Sequence, residues 1–383
     1  MKQVFFALAL CALCAVANAQ QVAMISGKVA RVSAPDMRVR AYVYSGVEST
    51  ELASATVGAD GAYTLYVPYT VEGEAVLDCG GWQTVNVWLC DEALTIDFEG
   101  GAAGDERTNI PIYVDQRGGR NAELMNMVNM GLYLNFSLEM GNGKAVYMGD
   151  ALESMEAKQR LARTLNTVVS GATSDYMRFL ASHYADRPAV MTALKRLGGE
   201  RDDSLREATM RTLEASGAAG KAVVSEYRQR AENIRQLKAR CVPGQDAPDL
   251  TFVTPDGKEH RLLEYLGDKV LVVDFWASWC SPCRKEIPAM KRIYEEFKGR
   301  GVEFLSLSMD SKENAWKGAM EEENMPWAQG WLKDAGAEAM RHYQFKGIPY
   351  IVVMDVKGKI FKVGVRGEGT RQAVREALGA VAD

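Results

Sequence analysis

An apolar run from Val270 to Phe275 leads almost directly into Trp279-Cys280-Ser281-Pro282-Cys283. Such a continuous run suits a central strand buried on both faces, and the cysteine pair then falls at the start of the next helix. There, free backbone N–H groups and the helix dipole stabilise negative charge and lower the pKa of the first sulfur. Cys280 is therefore the expected nucleophile, and Cys283, one turn on, the thiol that resolves a mixed disulfide.

The surrounding elements alternate. Leu250–Val253 and Lys258–Arg261 flank Pro255-Asp256-Gly257, a hairpin signal. After the cysteine helix the pattern predicts a strand from Val302 to Ser308, helices near 312–323 and 335–343, strands at Ile351–Met354 and Lys359–Val365, and a final helix after Thr370. Residues 243–383 thus predict an α/β layer fold.

A Cys-x-x-Cys pair can also belong to a zinc site or form a structural disulfide. Zinc needs a second pair or two histidines, whereas this chain's histidines are His183, His260 and His342, none in ligand spacing with another. The sequence resembles the thioredoxin superfamily, and most closely the exported thiol-disulfide oxidoreductases of the TlpA and ResA kind. The resemblance spans residues 243–383 and is carried by Val273 to Cys283, by Pro288, and by Gly347-Ile348-Pro349.

That resemblance implies several roles. Pro349 would be a cis proline facing the cysteines, with Ile348 offering its backbone to an extended substrate and Trp279 beside it. Asp274, six residues before Cys280, would be a buried acid that takes the proton from Cys283, burial raising its pKa toward a usable range. Glu286 would lie one helical turn beyond Cys283 and tune the cysteines, and Pro288 would kink the helix. Ser281-Pro282 lacks the histidine of strongly oxidising relatives, so a reductase of protein disulfides is expected rather than an oxidase. Its partners would be client proteins with disulfides and a thiol electron donor, soluble or membrane-bound, with no metal or organic cofactor beyond the Cys280–Cys283 disulfide.

Two other functions are open to such a chain. The stretch from Pro248 to Phe275 also looks like the start of peroxiredoxin-type domains, but the Thr and Pro they need three and seven residues before the peroxidatic cysteine are here Ala277 and Val273. Alternatively, residues 20–240 hold a partner and the cysteines serve as a redox latch.

Residues 1–19 have the plan of a cleavable export signal: Lys2, an apolar run from Val4 to Val16, then Ala17-Asn18-Ala19. A membrane anchor needs roughly 20 apolar residues, more than this run supplies. Export to the periplasm is expected, the mature chain beginning at Gln20, with association to the membrane left open. Cys79, Cys90, Cys241, Cys280 and Cys283 then remain in an oxidising compartment.

From Ile25 to about Phe98 apolar residues alternate at period two, as in Val39, Ala41, Val43 and in Tyr63, Leu65, Val67, predicting a small antiparallel β sandwich over residues 20–105. It resembles the β domain of unknown function found ahead of such oxidoreductase domains in exported Bacteroidetes-type proteins. The short segment between Cys79 and Cys90 predicts a structural disulfide there. Cys241 is left unpaired.

Residues 106–242 show helical spacing, as in Val224, Tyr227, Ala231 and Ile234. Asp186-Arg187-Pro188 reads as a cap and first-turn proline, and Met125, Met127, Met130, Met140, Met148 and Met155 read as core packing. Val242-Pro243-Gly244 ends the region. At 383 residues with 25% charged residues and a formal charge of -5, the chain exceeds one compact core and offers nothing that favours nucleic acid. Oligomeric state is unreadable from this pattern.

Overall fold

The computed structural model describes residues 21–45, 48–102, 104–105, 113–149, 154–334 and 336–382. The export signal expected over residues 1–19 lies outside them. The chain divides into two compact units between Arg228 and Gln229.

Among the described residues the first unit opens with the strands β1 (Gln21–Arg31), β2 (Arg38–Ser45), β3 (Glu48–Thr56), β4 (Ala62–Tyr69), β5 (Gly73–Cys79), β6 (Gln83–Leu89), β7 (Leu94–Ile96), β8 (Phe98–Gly100) and β9 (Gln116–Arg117). One sheet has the order β4-β1-β7-β9 with β8 also on β1, and the other the order β3-β2-β5-β6. Alternation builds the core between them: Tyr63, Leu65, Val67 and Tyr69 of β4 are buried while Thr64 and Tyr66 face out. Most pairs are antiparallel, but β1 runs parallel to β7 and then to β8. Gly27 permits that approach, since a Cβ there would sit 1.7 Å from the Ile96 carbonyl oxygen.

The helical region follows: α1 (Arg120–Met148), α2 (Met155–His183), α3 (Val190–Leu194), α4 (Asp203–Ala215) and α5 (Ala218–Arg240). Leu124, Met125 and Val128 of α1 pack with Met177 and Leu180 of α2 and with the whole of α3.

Three expectations fail in this unit. Cys79 and Cys90 are buried free thiols, not a disulfide. In the β5–β6 hairpin Cys79 stands opposite Gln83 at one end, whereas Gly73 stands opposite Leu89, next to Cys90, at the other. Seven residues of strand separate the two levels by roughly 20 Å, far beyond a disulfide's reach. The Asp186-Arg187-Pro188 cap is also absent: α3 starts at Val190 after an uncapped Ala189, and Asp186 pairs with Arg120 of α1 instead. Finally, Met125 is buried, but Met130, Met140, Met148 and Met155 are exposed.

In the second unit come β10 (Thr251–Val253), β11 (Glu259–Arg261), β12 (Val270–Trp276), α6 (Ser281–Phe297), β13 (Val302–Ser308), α7 (Glu313–Glu323), β14 (Ala328–Trp331), α8 (Ala337–Tyr343), β15 (Tyr350–Met354), β16 (Ile360–Val363) and α9 (Glu368–Ala382). They form one seven-stranded sheet in the order β11-β10-β14-β13-β12-β15-β16. The central β12 lies parallel to β13 and antiparallel to β15. Its side chains alternate between two apolar layers: Val270, Val272 and Trp276 pack with Ile287 and Met290 of α6 and Val374 of α9, while Leu271, Val273 and Phe275 pack with Phe252, Ala339 and Tyr343. A strand covered on both faces has no use for polar alternation, which accounts for an apolar run interrupted only by the buried Asp274. Strand β14 was not anticipated, because Ala328-Gln329-Gly330-Trp331 shows no β pattern. Gly330 is needed there, since a Cβ would meet the Phe252 ring at 2.3 Å. Among the described residues no helix is long and apolar enough to cross a membrane.

Candidate active site

Strand β12 ends at Trp276, and after the turn Ala277-Ser278-Trp279 the chain enters α6 with Cys280 as its N-cap. Pro282 occupies the first turn, where its missing N–H costs nothing. The Cys283 backbone N–H donates to Cys280 Sγ at 3.2 Å. This is the helix-terminus donation that stabilises a thiolate at the first cysteine. The two sulfurs are joined in a disulfide with a Cα separation of 5.2 Å, and both residues are buried.

On the other side of the pair, Cys280 Sγ lies 3.7 Å from the Ile348 carbonyl oxygen. The Ile348–Pro349 peptide is cis, and the Pro349 carbonyl accepts from Arg366 Nη2 at 2.9 Å. Trp279 beside the pair is 69% exposed. An exposed indole next to a disulfide and a backbone carbonyl offers an extended peptide both apolar and hydrogen-bonding contact.

Asp274 sits on β12 at the same parity as Val272 and Trp276, the layer that also holds Cys280 and Cys283. Its Oδ2 accepts from the Ser306 hydroxyl at 3.3 Å, and Ser306 in turn accepts from Trp327 Nε1 at 2.9 Å. Oδ1 is buried with no hydrogen-bond partner among the described residues. Burial pushes the carboxyl up to about 7 and the Glu286 charge adds to the rise, while the Ser306 hydrogen bond opposes it. A half-satisfied buried carboxyl of this kind is poised to take and return a proton near neutral pH. Glu286 on α6 is half-buried and accepts the Gly367 backbone N–H, so it ties α6 to the segment before α9. Pro288 lies inside α6 and is exposed.

Residues not singled out from the sequence hold the turn before Cys280. Asp310, just beyond β13, is buried and accepts from the Ser278 N–H, the Ser278 hydroxyl and the Ser308 hydroxyl. Its backbone carbonyl accepts from Trp331 Nε1 at 2.7 Å. Arg284 closes the other side, donating from Nε to the Ser278 carbonyl at 2.9 Å. One signal was present: Ser306 and Ser308 are polar residues in a strand flanked on both sides, positions where a hydroxyl needs a designated partner. Cys241 lies elsewhere in this unit, buried and donating to the His342 carbonyl at 2.6 Å, with burial pushing its thiol up. Among the described residues no cluster of three or more His, Cys, Asp or Glu could hold a metal ion.

Residues 243–363 match the AhpC/TSA family. The thiol-disulfide oxidoreductase ResA of Bacillus cereus (strain ATCC 10987 / NRS 248) is 28% identical over 163 residues, which are 43% of this chain and 88% of that protein. ResA of Bacillus thuringiensis subsp. konkukian is 30% identical over 135 residues, 35% of this chain and 76% of that protein. A solved thioredoxin domain of a thiol-disulfide oxidoreductase from Bacteroides vulgatus is 32% identical, covering 36% of this chain and 98% of its own, at a TM-score of 0.34. Through its C-terminal thioredoxin-like domain, the chain belongs to the family of ResA-like thiol-disulfide oxidoreductases.

Proposed function

We propose that this protein is an exported reductase of protein disulfides that works by dithiol exchange through Cys280 and Cys283. The observation that carries the reading is the pairing of the two sulfurs at the N-terminus of α6, with the Cys283 N–H on Cys280 Sγ. In the reduced enzyme the Cys280 thiolate attacks one sulfur of a client disulfide. A Cys280–client disulfide forms, and one client thiolate leaves and takes from solvent the proton that Cys280 gave up on becoming a thiolate. Asp274 accepts the Cys283 proton, the Cys283 thiolate attacks Cys280 Sγ, and the second client thiolate departs with that proton. Two electrons pass to the client, and the enzyme is left in the disulfide form seen here. Trp279, Ile348 and Pro349 form the docking edge for the client, and Glu286 sets the charge around Asp274. A separate thiol donor, soluble or membrane-bound, must return the electrons. The two electrons come from the cysteine pair, one proton from Cys283 by way of Asp274 and the other from solvent, so the exchange is proposed to run without a metal or organic cofactor.

The experiment is the equilibrium reduction potential of the Cys280–Cys283 pair in glutathione or dithiothreitol buffers, on the chain beginning at Gln20. A value well below about -200 mV is expected, whereas one near about -120 mV would make the protein an oxidant of client thiols. Failure to titrate reversibly would overturn dithiol exchange in favour of a partner-binding module. N-terminal sequencing of the exported protein is expected to begin at Gln20, and an intact leader on it would remove the export reading.

A further inference from the structure

The segment that leads from β16 into α9 is pinned at four successive residues. Gly364 donates its backbone N–H to the Ile351 carbonyl at 2.8 Å, Val365 packs in the apolar layer that holds the cysteines, and Gly367 donates to Glu286 of α6. Arg366 stands between these anchors, and its Nη2 donates to the Pro349 carbonyl at 2.9 Å. Pro349 is buried, so its carbonyl needs a partner. A backbone N–H would meet that need without charge, whereas the partner here is an exposed arginine.

A guanidinium carries five N–H donors, and the Pro349 bond takes one of them. The carboxylates nearest in the chain or across the segment are engaged elsewhere: Glu368 pairs with Arg371, and Glu286 accepts from Gly367. Among the described residues Arg366 has no ion pair, and neither has Lys346, exposed two residues before Ile348. Two exposed cations therefore stand at the Ile348–Pro349 edge against one half-buried carboxylate, Glu286.

We propose that Arg366 selects the client: it holds the Pro349 carbonyl with one donor and offers the others to a carboxylate, so the enzyme favours protein disulfides with an aspartate or glutamate beside the cysteine that Cys280 attacks. The inference rests on the dithiol-exchange reading above. Ile348, whose carbonyl lies 3.7 Å from Cys280 Sγ, and Pro349, held by Arg366, are adjacent residues. Successive residues of an extended client are about 3.3 Å apart, so a side chain one or two positions from its cysteine passes the guanidinium. A guanidinium matches a carboxylate with two parallel N–H bonds, and one already fixed in place loses less freedom on binding than a free side chain. A client lysine at the same point would meet a like charge, which works against binding.

The test uses the reduced chain from Gln20 and three synthetic peptides, each closed by one disulfide and differing only in carrying Glu, Gln or Lys on both sides of each cysteine. Each rate of reduction is divided by that of dithiothreitol on the same peptide, which removes the peptide's own reactivity. At low salt the Glu peptide is expected to be reduced about threefold faster than the Gln peptide, the size of an exposed ion pair, and the Lys peptide slower than both. At about 500 mM salt the preference is expected to shrink toward none. Arg366→Gln is expected to lose most of the preference and Arg366→Lys, which keeps the charge, to retain part of it. Arg375→Gln removes a charge from α9, where it pairs with Glu296, and is expected to keep the preference whole. Looser folding alone would slow the three peptides alike, so an unmoved ratio in Arg366→Gln overturns the inference, as do equal rates for the three peptides with wild type. If Arg366→Gln does not fold, the salt series on wild type decides, and a preference undiminished at high salt overturns the inference. Reaction with none of the peptides removes dithiol exchange itself, and the inference with it.

Discussion

Asp310 grips Ser278 twice: Oδ2 accepts the serine's backbone N–H at 2.9 Å and Oδ1 accepts its hydroxyl at 2.6 Å. Ser278 lies two residues before Cys280, so this buried carboxylate fixes the turn from which the nucleophile is presented. Asparagine has one acceptor where aspartate has two, and would aim an N–H₂ at one of these donors. Asp310→Asn is expected to lower unfolding free energy by about 1–3 kcal/mol and to slow disulfide exchange, while Ser278→Ala, which loses only the hydroxyl bond, costs less. Urea melts and the alkylation rate of reduced Cys280 measure both effects. Equal behaviour of Asp310→Asn and wild type would remove the positioning role.

The two cysteines are expected to fail in different ways. Cys280→Ser leaves no nucleophile at the helix terminus and abolishes exchange. Cys283→Ser leaves the nucleophile but no resolving thiol, so the enzyme accumulates as a covalent mixed disulfide with its client. Non-reducing electrophoresis followed by mass spectrometry distinguishes them, and trapping by Cys280→Ser instead would reverse the assignment.

The Asp274 carboxyl is pushed by burial from 3.8, the value of an unburied aspartate, to about 7. The folded protein therefore holds a proton that the unfolded chain releases. Stability from this residue is complete below about pH 4 and declines as pH rises through about 7, by about 4 kcal/mol in all at 1.36 kcal/mol per pH unit. Asp274→Asn stays neutral and loses that slope, so it is expected to unfold at higher urea than wild type at pH 8 and at similar urea at pH 4, while its exchange rate falls. Parallel pH–stability curves for the two proteins would show that Asp274 does not titrate in this range.

Burial pushes the Cys79 and Cys90 thiols up to about 12 each, so neither is expected to react in the folded protein. Unfolding without reductant and then alkylating the chain from Gln20 is expected to label Cys79, Cys90 and Cys241, the free cysteines, and to spare the Cys280–Cys283 disulfide. Labelling of Cys241 alone would show that Cys79 and Cys90 are bridged after all.

What the sequence by itself determined was whatever a short window encodes. The strand β12, apolar except for Asp274, the helix that starts at the cysteines, the Pro255-Asp256-Gly257 hairpin and the period-two strands of the first unit each depend on spacing within about ten residues. So did the resemblance at Val273 to Cys283 that marks the oxidoreductase. Tertiary structure alone decided the partners of those elements. Asp310 meets Ser278 across 32 residues, and Ser306 meets Asp274 across 32, because β12 and β13 lie side by side in parallel register. The β5–β6 register sends Cys79 and Cys90 to opposite ends of a hairpin that sequence proximity alone cannot order. Methionines at helical spacing look the same in sequence whether a helix is enclosed or stands with one face open, and only the packing of α1 against α2 separates Met125 from Met130. Local pattern dictates which way a side chain points relative to its own backbone, while what it points at is set by elements distant in the chain.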